Sequence, residues 1–207
     1  MTAQIAGIIA SYLLGSISFS ILLARWLKKI DIRQHGSGNA GATNTLRVLG
    51  KGPALAVFVL DIAKGVASVL IGWQVDAGED WVPVACGLAA IIGHNWPVYF
   101  SFRGGKGIAT TIGVVATLMF WPGFAAGVLA ILSIVFTRYV SLGSLIFAVL
   151  LPISVALFGL EAPYVWGAVI ICVLAVVRHR KNIAKLLNGT ENKLDFGGKK
   201  GERHGTK

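Results

Sequence analysis

The chain has 207 residues, 55% of them hydrophobic and only 14% charged, with a mean hydropathy of +0.73. Soluble domains carry about 25% charged residues, so the composition excludes an ordinary soluble protein and points to one embedded in a bilayer. The formal net charge of +10 is then read as membrane sidedness rather than as nucleic-acid binding.

A bilayer crossing needs about 20 apolar residues, and residues 4–24 supply the first. That run is too long for a signal-peptide core and has no basic residue before it, so it is expected to be a retained span. Residues 53–73 form the second, with Pro53 at a helix start, where its missing donor costs nothing. Residues 81–100 form the third. Residues 108–120 and 122–136 are two shorter runs, split by Trp121-Pro122-Gly123. Residues 139–160 and 163–177 complete the set. The expected fold is all-α and membrane-integral, with seven transmembrane helices, or five plus a re-entrant hairpin over 108–136. Residues 1–191 are expected to form one domain, and 192–207 a polar tail without packed structure. Cys86 and Cys172 both lie in apolar runs without metal-ligand spacing and are read as packing residues.

Alternating the segments across the bilayer puts 18 of the 19 Lys and Arg residues on one side. Asp76, Glu79, Asp80 and Glu161 fall on the other, with no Lys or Arg. The positive-inside rule makes the basic side cytoplasmic, the N-terminus outside and the C-terminus cytoplasmic. The remaining basic residue, Lys64, lies within a span, three residues after Asp61 and on the same helix face. It reads either as half of a structural pair or as the wall of a polar site.

Polar stretches from separate loops converge on the basic side. The first, residues 35–47, reads HGSGNAGATNTLR. Its glycines let backbone approach an anion, and Arg47 supplies a fork for phosphate. The second, residues 93–107, contains His94 and ends in Gly104-Gly105-Lys106-Gly107 just before an apolar run. Glycines, a lysine and a helix N-terminus together suit a phosphate cradle. The third starts at Arg178-His179-Arg180-Lys181-Asn182 and runs to Gly189 and Glu191. His179 and Asn182 can share one helix face. Ser141 is a smaller fourth element. The spacing Gly36-x-Gly38-x-x-Gly41 imitates a dinucleotide fingerprint, but a membrane span precedes it where a strand is required. The Gly105-Lys106 pair lacks the following Ser or Thr of a nucleotide P-loop. No Ser-His-Asp set, no Cys-His pair on this face and no carboxylate cluster are evident, so covalent and metal catalysis are both disfavoured and no cofactor is expected. Three classes of function remain: an enzyme acting on phosphorylated substrates, a transporter for an organic phosphate, and a purely structural membrane scaffold. All the polar loops lie on one face and no inverted repeat is evident, which favours the enzyme.

At these residues the chain resembles a known family. GSGNAGATNTLR, GHNWPVYFSFRGGKGIAT and RHRKNIAKLLNGTE are similar to three motifs of the bacterial membrane glycerol-3-phosphate acyltransferases that use acyl phosphate as donor, the PlsY family. The resemblance implies a seven-helix protein of the bacterial inner membrane, with its site facing the cytoplasm. It implies transfer of an acyl group from acyl phosphate to the 1-hydroxyl of sn-glycerol 3-phosphate, giving lysophosphatidate and phosphate, as the first acylation of phospholipid synthesis. Neither acyl-enzyme nor metal is needed, because an acyl phosphate is already activated. The soluble enzyme that forms the acyl phosphate is an implied partner, and nucleic acid is not. By motif position, Asn182, His179 and Lys106 are the expected catalytic residues. Substrate contacts are expected from Ser37, Gly38, Asn39, Thr43, Asn44 and Arg47 of the first stretch, and from His94, Gly104, Gly105 and Gly107 of the second. Ser141 and Glu191 complete the set. Lys185 stands where many members carry Arg, which keeps the charge but loses the fork.

Overall fold

Hydrophobic runs of this length must satisfy their backbone internally, and the chain does so by helices throughout. The structure, a computed structural model, describes residues 1–76 and 78–194. Among them are nine α-helices. They are α1 (Thr2–Gly15), α2 (Phe19–Lys28), α3 (Ala42–Leu49), α4 (Lys51–Val75), α5 (Trp81–Asn95), α6 (Ile108–Leu118), α7 (Phe120–Thr137), α8 (Val140–Leu157) and α9 (Ala162–Leu187). Five helical stretches are long and apolar enough to cross a membrane: Thr2–Lys28, α4, α7, α8 and α9. The fold is thus an all-α multi-pass membrane fold. The tail expected from residue 192 lies largely outside the described residues.

Several boundaries differ from expectation, each for a local reason. The first span is two helices, α1 and α2, broken at Ser16–Ser18; Gly15, Ser16 and Ser18 are poor helix formers. The third ends at Asn95 rather than at residue 100, because Pro97 disfavours helical backbone at Trp96; Val98–Phe100 is a 3-10 turn instead. The two shorter runs are separate helices, and the break falls at Met119. Pro122 does not break α7, because it sits in the first turn, where an N–H has no helical acceptor. The last helix runs on to Leu187 rather than stopping at residue 177. Its basic final turns are good helix formers even though they are not apolar.

Glycines set the closeness of the helices. A Cβ on Gly65 of α4 would strike the Thr110 carbonyl of α6, and one on Gly113 of α6 would strike the Ile62 carbonyl of α4. Gly15 of α1 and Gly93 of α5 make the same reciprocal contact. Backbones in lipid gain little from burying apolar surface, so this close approach is what packing can exploit. The main core joins α4, α5, α6, α7, α8 and α9 through Val69, Ile91, Val114, Ala126, Phe147, Leu151 and Ile171. A smaller cluster of Ile21, Ala24, Ile32, Ala40 and Phe100 underlies the loop before α3. Large apolar side chains such as Leu55, Leu129, Val135 and Ile153 are exposed on the outside of the bundle, where lipid would cover them.

Candidate active site

The loop before α3 is built from its own polar groups. Gly36 and Gly38 take the left-handed conformation, at φ 62 and 71, which glycine adopts without strain. Asn44, in the first turn of α3, braces the loop from beneath. Its Oδ1 accepts from the Ser37 N–H at 2.8 Å, and its Nδ2 donates to the carbonyls of His35 at 3.0 Å and Ile32 at 3.2 Å. Asn44 is buried. Expected as a substrate contact, it is instead engaged at both ends of its amide. Arg33 ties this loop to the next, pairing with Asp31 at 2.7 Å and donating to the Phe100 carbonyl at 3.0 Å. That pairing holds the Asp31 carboxyl down at about 2.

The glycine loop is clamped from both sides. The Gly104 and Gly105 N–H groups donate back to the carbonyls of Asn95, at 3.3 Å, and His94, at 3.1 Å. Their carbonyls accept from the guanidinium of Arg178, whose Nε lies 2.9 Å from Gly105 O and Nη2 3.0 Å from Gly104 O. Arg178 also lies over the Trp96 ring, 5.2 Å from its centre. The amides of Gly104 and Gly105, expected to cradle phosphate, are therefore engaged in shaping the loop. What opens on the cavity is the next step: Lys106, Gly107 at φ 80, and the first turn of α6 through Ile108 and Ala109. Arg178 was missed as a site residue. Its one signal, a place next to His179, could not be told from a basic residue that merely marks sidedness.

The third stretch closes the polar end. Gly189, at φ 67, ends α9, and the Thr190 N–H donates to the Lys185 carbonyl at 2.8 Å. This turn brings Glu191 back to Asn182, whose Nδ2 donates to the two carboxylate oxygens at 2.9 and 3.1 Å. Asn182 Oδ1 accepts from Lys106 Nζ at 2.5 Å. Burial of Lys106 lowers its ammonium to about 8, against the pull of Glu191 in the other direction and with Arg47, Arg178 and Lys185 adding to the lowering. His179 is buried, and its Nδ1 donates to the Ala175 carbonyl at 2.8 Å, so in the neutral ring the lone pair is on Nε2.

The three stretches meet at one cavity of about 830 Å³. Its polar end holds Ser37, Arg47, Lys106, Ser141, His179 and Asn182, and the rest runs between apolar walls that include Val115, Phe120, Ile131, Ile134 and Phe147. Gly38, Asn39, Thr43, Asn44, His94, Gly104, Gly107 and Glu191 also line it, and Gly105 sits just behind, against the His94 ring. Ser141 Oγ is buried and has no hydrogen-bond partner among the described residues. Asp61 reaches the cavity wall, while Lys64 stands behind it at 2.9 Å.

A family profile described as glycerol-3-phosphate acyltransferase matches residues 5–189. The chain belongs to this family. It is 59% identical over 199 residues to a glycerol-3-phosphate acyltransferase of Shouchella clausii (strain KSM-K16), covering 94% of this chain and 97% of that one. It is 58% identical over 192 residues to one of Halalkalibacterium halodurans, covering 90% and 93%. Its fold matches a crystal structure of PlsY (YgiH), an integral membrane glycerol 3-phosphate acyltransferase, in the glycerol 3-phosphate form. The TM-score is 0.88 at 38% identity, over 93% of this chain and 96% of the other. The lysophosphatidic acid form of that protein matches with a TM-score of 0.85 at 36% identity. The matched residues 5–189 take in the first two polar stretches and most of the third, and residues of all three line the cavity.

Proposed function

We propose that the chain transfers an acyl group from acyl phosphate to the 1-hydroxyl of sn-glycerol 3-phosphate, giving lysophosphatidate and phosphate, at a site facing the cytoplasm. One observation carries the reading. A single cavity joins a cationic, hydroxyl-bearing end to an apolar trough, as an anion with a long acyl tail and a small second anion require. The acceptor oxygen attacks the acyl carbon, the bond from that carbon to the phosphate oxygen breaks, and phosphate leaves with its electron pair. Arg47 and Lys106 offset the repulsion of the two anions and stabilise the charge on the departing phosphate. The hydroxyl proton goes to that phosphate or to the lone pair on His179 Nε2. Asn182, held between Lys106 and Glu191, orients the ammonium. No enzyme nucleophile is needed, because the anhydride is already activated. Membership of the acyltransferase family displaces the transporter reading.

The finer architecture belongs to the same proposal. α5 and α6 cross along with the five longer stretches, making seven crossings with the N-terminus outside and the C-terminus cytoplasmic. Separate packing supports this, since α6 lies on α4 and α7 on α8. Exposed Trp81, Trp121 and Trp166 at the starts of α5, α7 and α9 would form one interfacial belt, and Trp26, Tyr99 and Phe102 the other. Residues 1–191 act as one domain, in the bacterial inner membrane, supplied by the soluble enzyme that makes the acyl phosphate. The test is purified protein with acyl phosphate and glycerol 3-phosphate, with and without chelator. Lysophosphatidate and phosphate in equal amounts are expected in both, and no product from the two substrates would overturn the reading.

A further inference from the structure

Beneath the glycine loop lies a buried cluster that the transfer itself does not use. Lys64 Nζ sits 2.8 Å from the carbonyl of Ile17, 3.0 Å from His94 Nδ1 and 2.9 Å from Asp61 Oδ1. The Ile17 carbonyl lies at the break between α1 and α2, where a helical partner is missing. The Asp61 contact is charge against charge, since no donor among the described residues meets Oδ1 at a hydrogen-bonding angle. The side chains of Lys64 and Asp61 are almost fully buried, at 1% and 2% exposure.

An ammonium has three N–H groups and no lone pair. Paired by charge with Asp61 it is held as an ammonium, and two of its N–H groups meet the Ile17 carbonyl and His94 Nδ1. His94 Nδ1 lies 3.0 Å from the ammonium and 3.5 Å from Asp61 Oδ1, which it does not meet as a hydrogen bond; it accepts from the nearer Lys64, which leaves the ring proton on Nε2. Nε2 has no hydrogen-bond partner among the described residues, although His94 is buried and lines the cavity. Its edge faces Gly105, and a Cβ at that position would lie on Nε2 and against the Ala40 carbonyl. Gly105 is not at positive φ. The need for glycine there is space in front of the imidazole.

We infer that Lys64, neutralised by Asp61, is a positioning residue that holds His94 with its proton on Nε2, aimed past Gly105 at a phosphoryl oxygen bound over the glycine loop. This rests on the proposed function for the identity of the anion. The anion is the phosphate of either the donor or the acceptor. An Nε2–H of fixed direction gives that phosphate a neutral donor in a site that already holds the Arg47 and Lys106 cations, so it orients the anion without adding to the positive charge gathered there.

The test has two arms, on the full chain in detergent or bilayer. With 15N-labelled histidine, and His94 assigned by its loss in His94→Gln, the wild-type ring is expected as the Nε2–H tautomer. In Lys64→Met it is expected to shift towards Nδ1–H or to average between the two. A wild-type ring carrying its proton on Nδ1, or on both nitrogens, overturns the inference, as does a tautomer unchanged in folded Lys64→Met. Should Lys64→Met fail to fold, Lys64→Met with Asp61→Asn restores neutrality and is read in the same way. The second arm leaves the ion pair alone. His94→Gln carries its amide near the place of Nε2, and His94→Asn near the place of Nδ1. Gln is expected to keep kcat/KM within a few fold, and Asn to lose about tenfold or more. The substrate whose KM rises identifies the phosphate. Equal kinetics in the two folded variants overturns the inference. An inactive wild type would instead overturn the proposed function and leave the tautomer arm readable.

Discussion

Arg47 and Lys106 both line the polar end of the cavity, but their geometries divide the work. Arg47 lies in the last turn of α3, the helix that follows a loop rich in Ser and Asn, and its fork suits the phosphate of glycerol 3-phosphate. Lys106 directly precedes α6, whose Ile112 and Val115 line the apolar walls, is tethered to Asn182, and suits the acyl phosphate. Arg47→Lys keeps the charge and loses the fork, so KM for glycerol 3-phosphate is expected to rise about 10- to 150-fold, as for a lost hydrogen bond to a charged group. Lys106→Ala is expected to lower kcat or raise KM for acyl phosphate. Two-substrate steady-state kinetics checks both, and the opposite pairing of variant with substrate would reverse the assignment. Lys106 also sets a pH limb. With its ammonium lowered to about 8, the charge is present below that pH and lost above it. The plot of kcat/KM, which reports the free enzyme, should fall as pH rises through about 8. Lys106→Arg stays charged throughout, so any residual activity should lose that limb; an unchanged limb in the variant would assign it to another group.

Elements meet here through specific atoms rather than through bulk apolar contact. Gly65 of α4 lets the Thr110 carbonyl of α6 approach. Gly65→Leu is therefore expected to destabilise the folded protein by about 1–3 kcal/mol, as overpacking does. Gly52, in the first turn of the same helix, has open space where a Cβ would go, so Gly52→Ala should be neutral or slightly stabilising. Thermal unfolding in one detergent compares the pair, and equal losses would show that helix propensity rather than contact decides. Arg178 is the corresponding tie between α9 and the glycine loop. Removing its side chain leaves two carbonyls without their donor. Arg178→Ala should lower kcat/KM about tenfold or more, while Lys51→Ala, at an exposed position at the start of α4 and away from the cavity, changes it little; similar losses in both would remove the clamp.

At the scale of the whole molecule, the one-sided charges carry the orientation. Single cysteines at Asn39 and Arg103 should react with an impermeant reagent only from the cytoplasmic side, and one at Gly78 only from outside, each in a background of Cys86→Ala and Cys172→Ala. Labelling of the Asn39 position in intact cells would invert the topology and move the site with it. Composition and hydropathy by themselves determined a multi-pass helical membrane protein, because a bilayer allows few other ways to satisfy a backbone. The three polar stretches were legible for a related reason: glycine, asparagine and basic residues between apolar runs cannot form a core, and their spacing resembles one family closely. Tertiary structure decided the rest. Whether Asn44 faces substrate or braces its own loop, and whether the glycine amides point at an anion or back at Asn95 and His94, depends on which carbonyls lie within 3.5 Å, and sequence spacing does not record that. Lys64 was visible as a buried charge beside Asp61, but its third neighbour, His94, comes from another helix. Only the packing of α4 against α5 brings that ring within reach, because contacts between distant segments follow from the fold of the whole chain and not from local pattern.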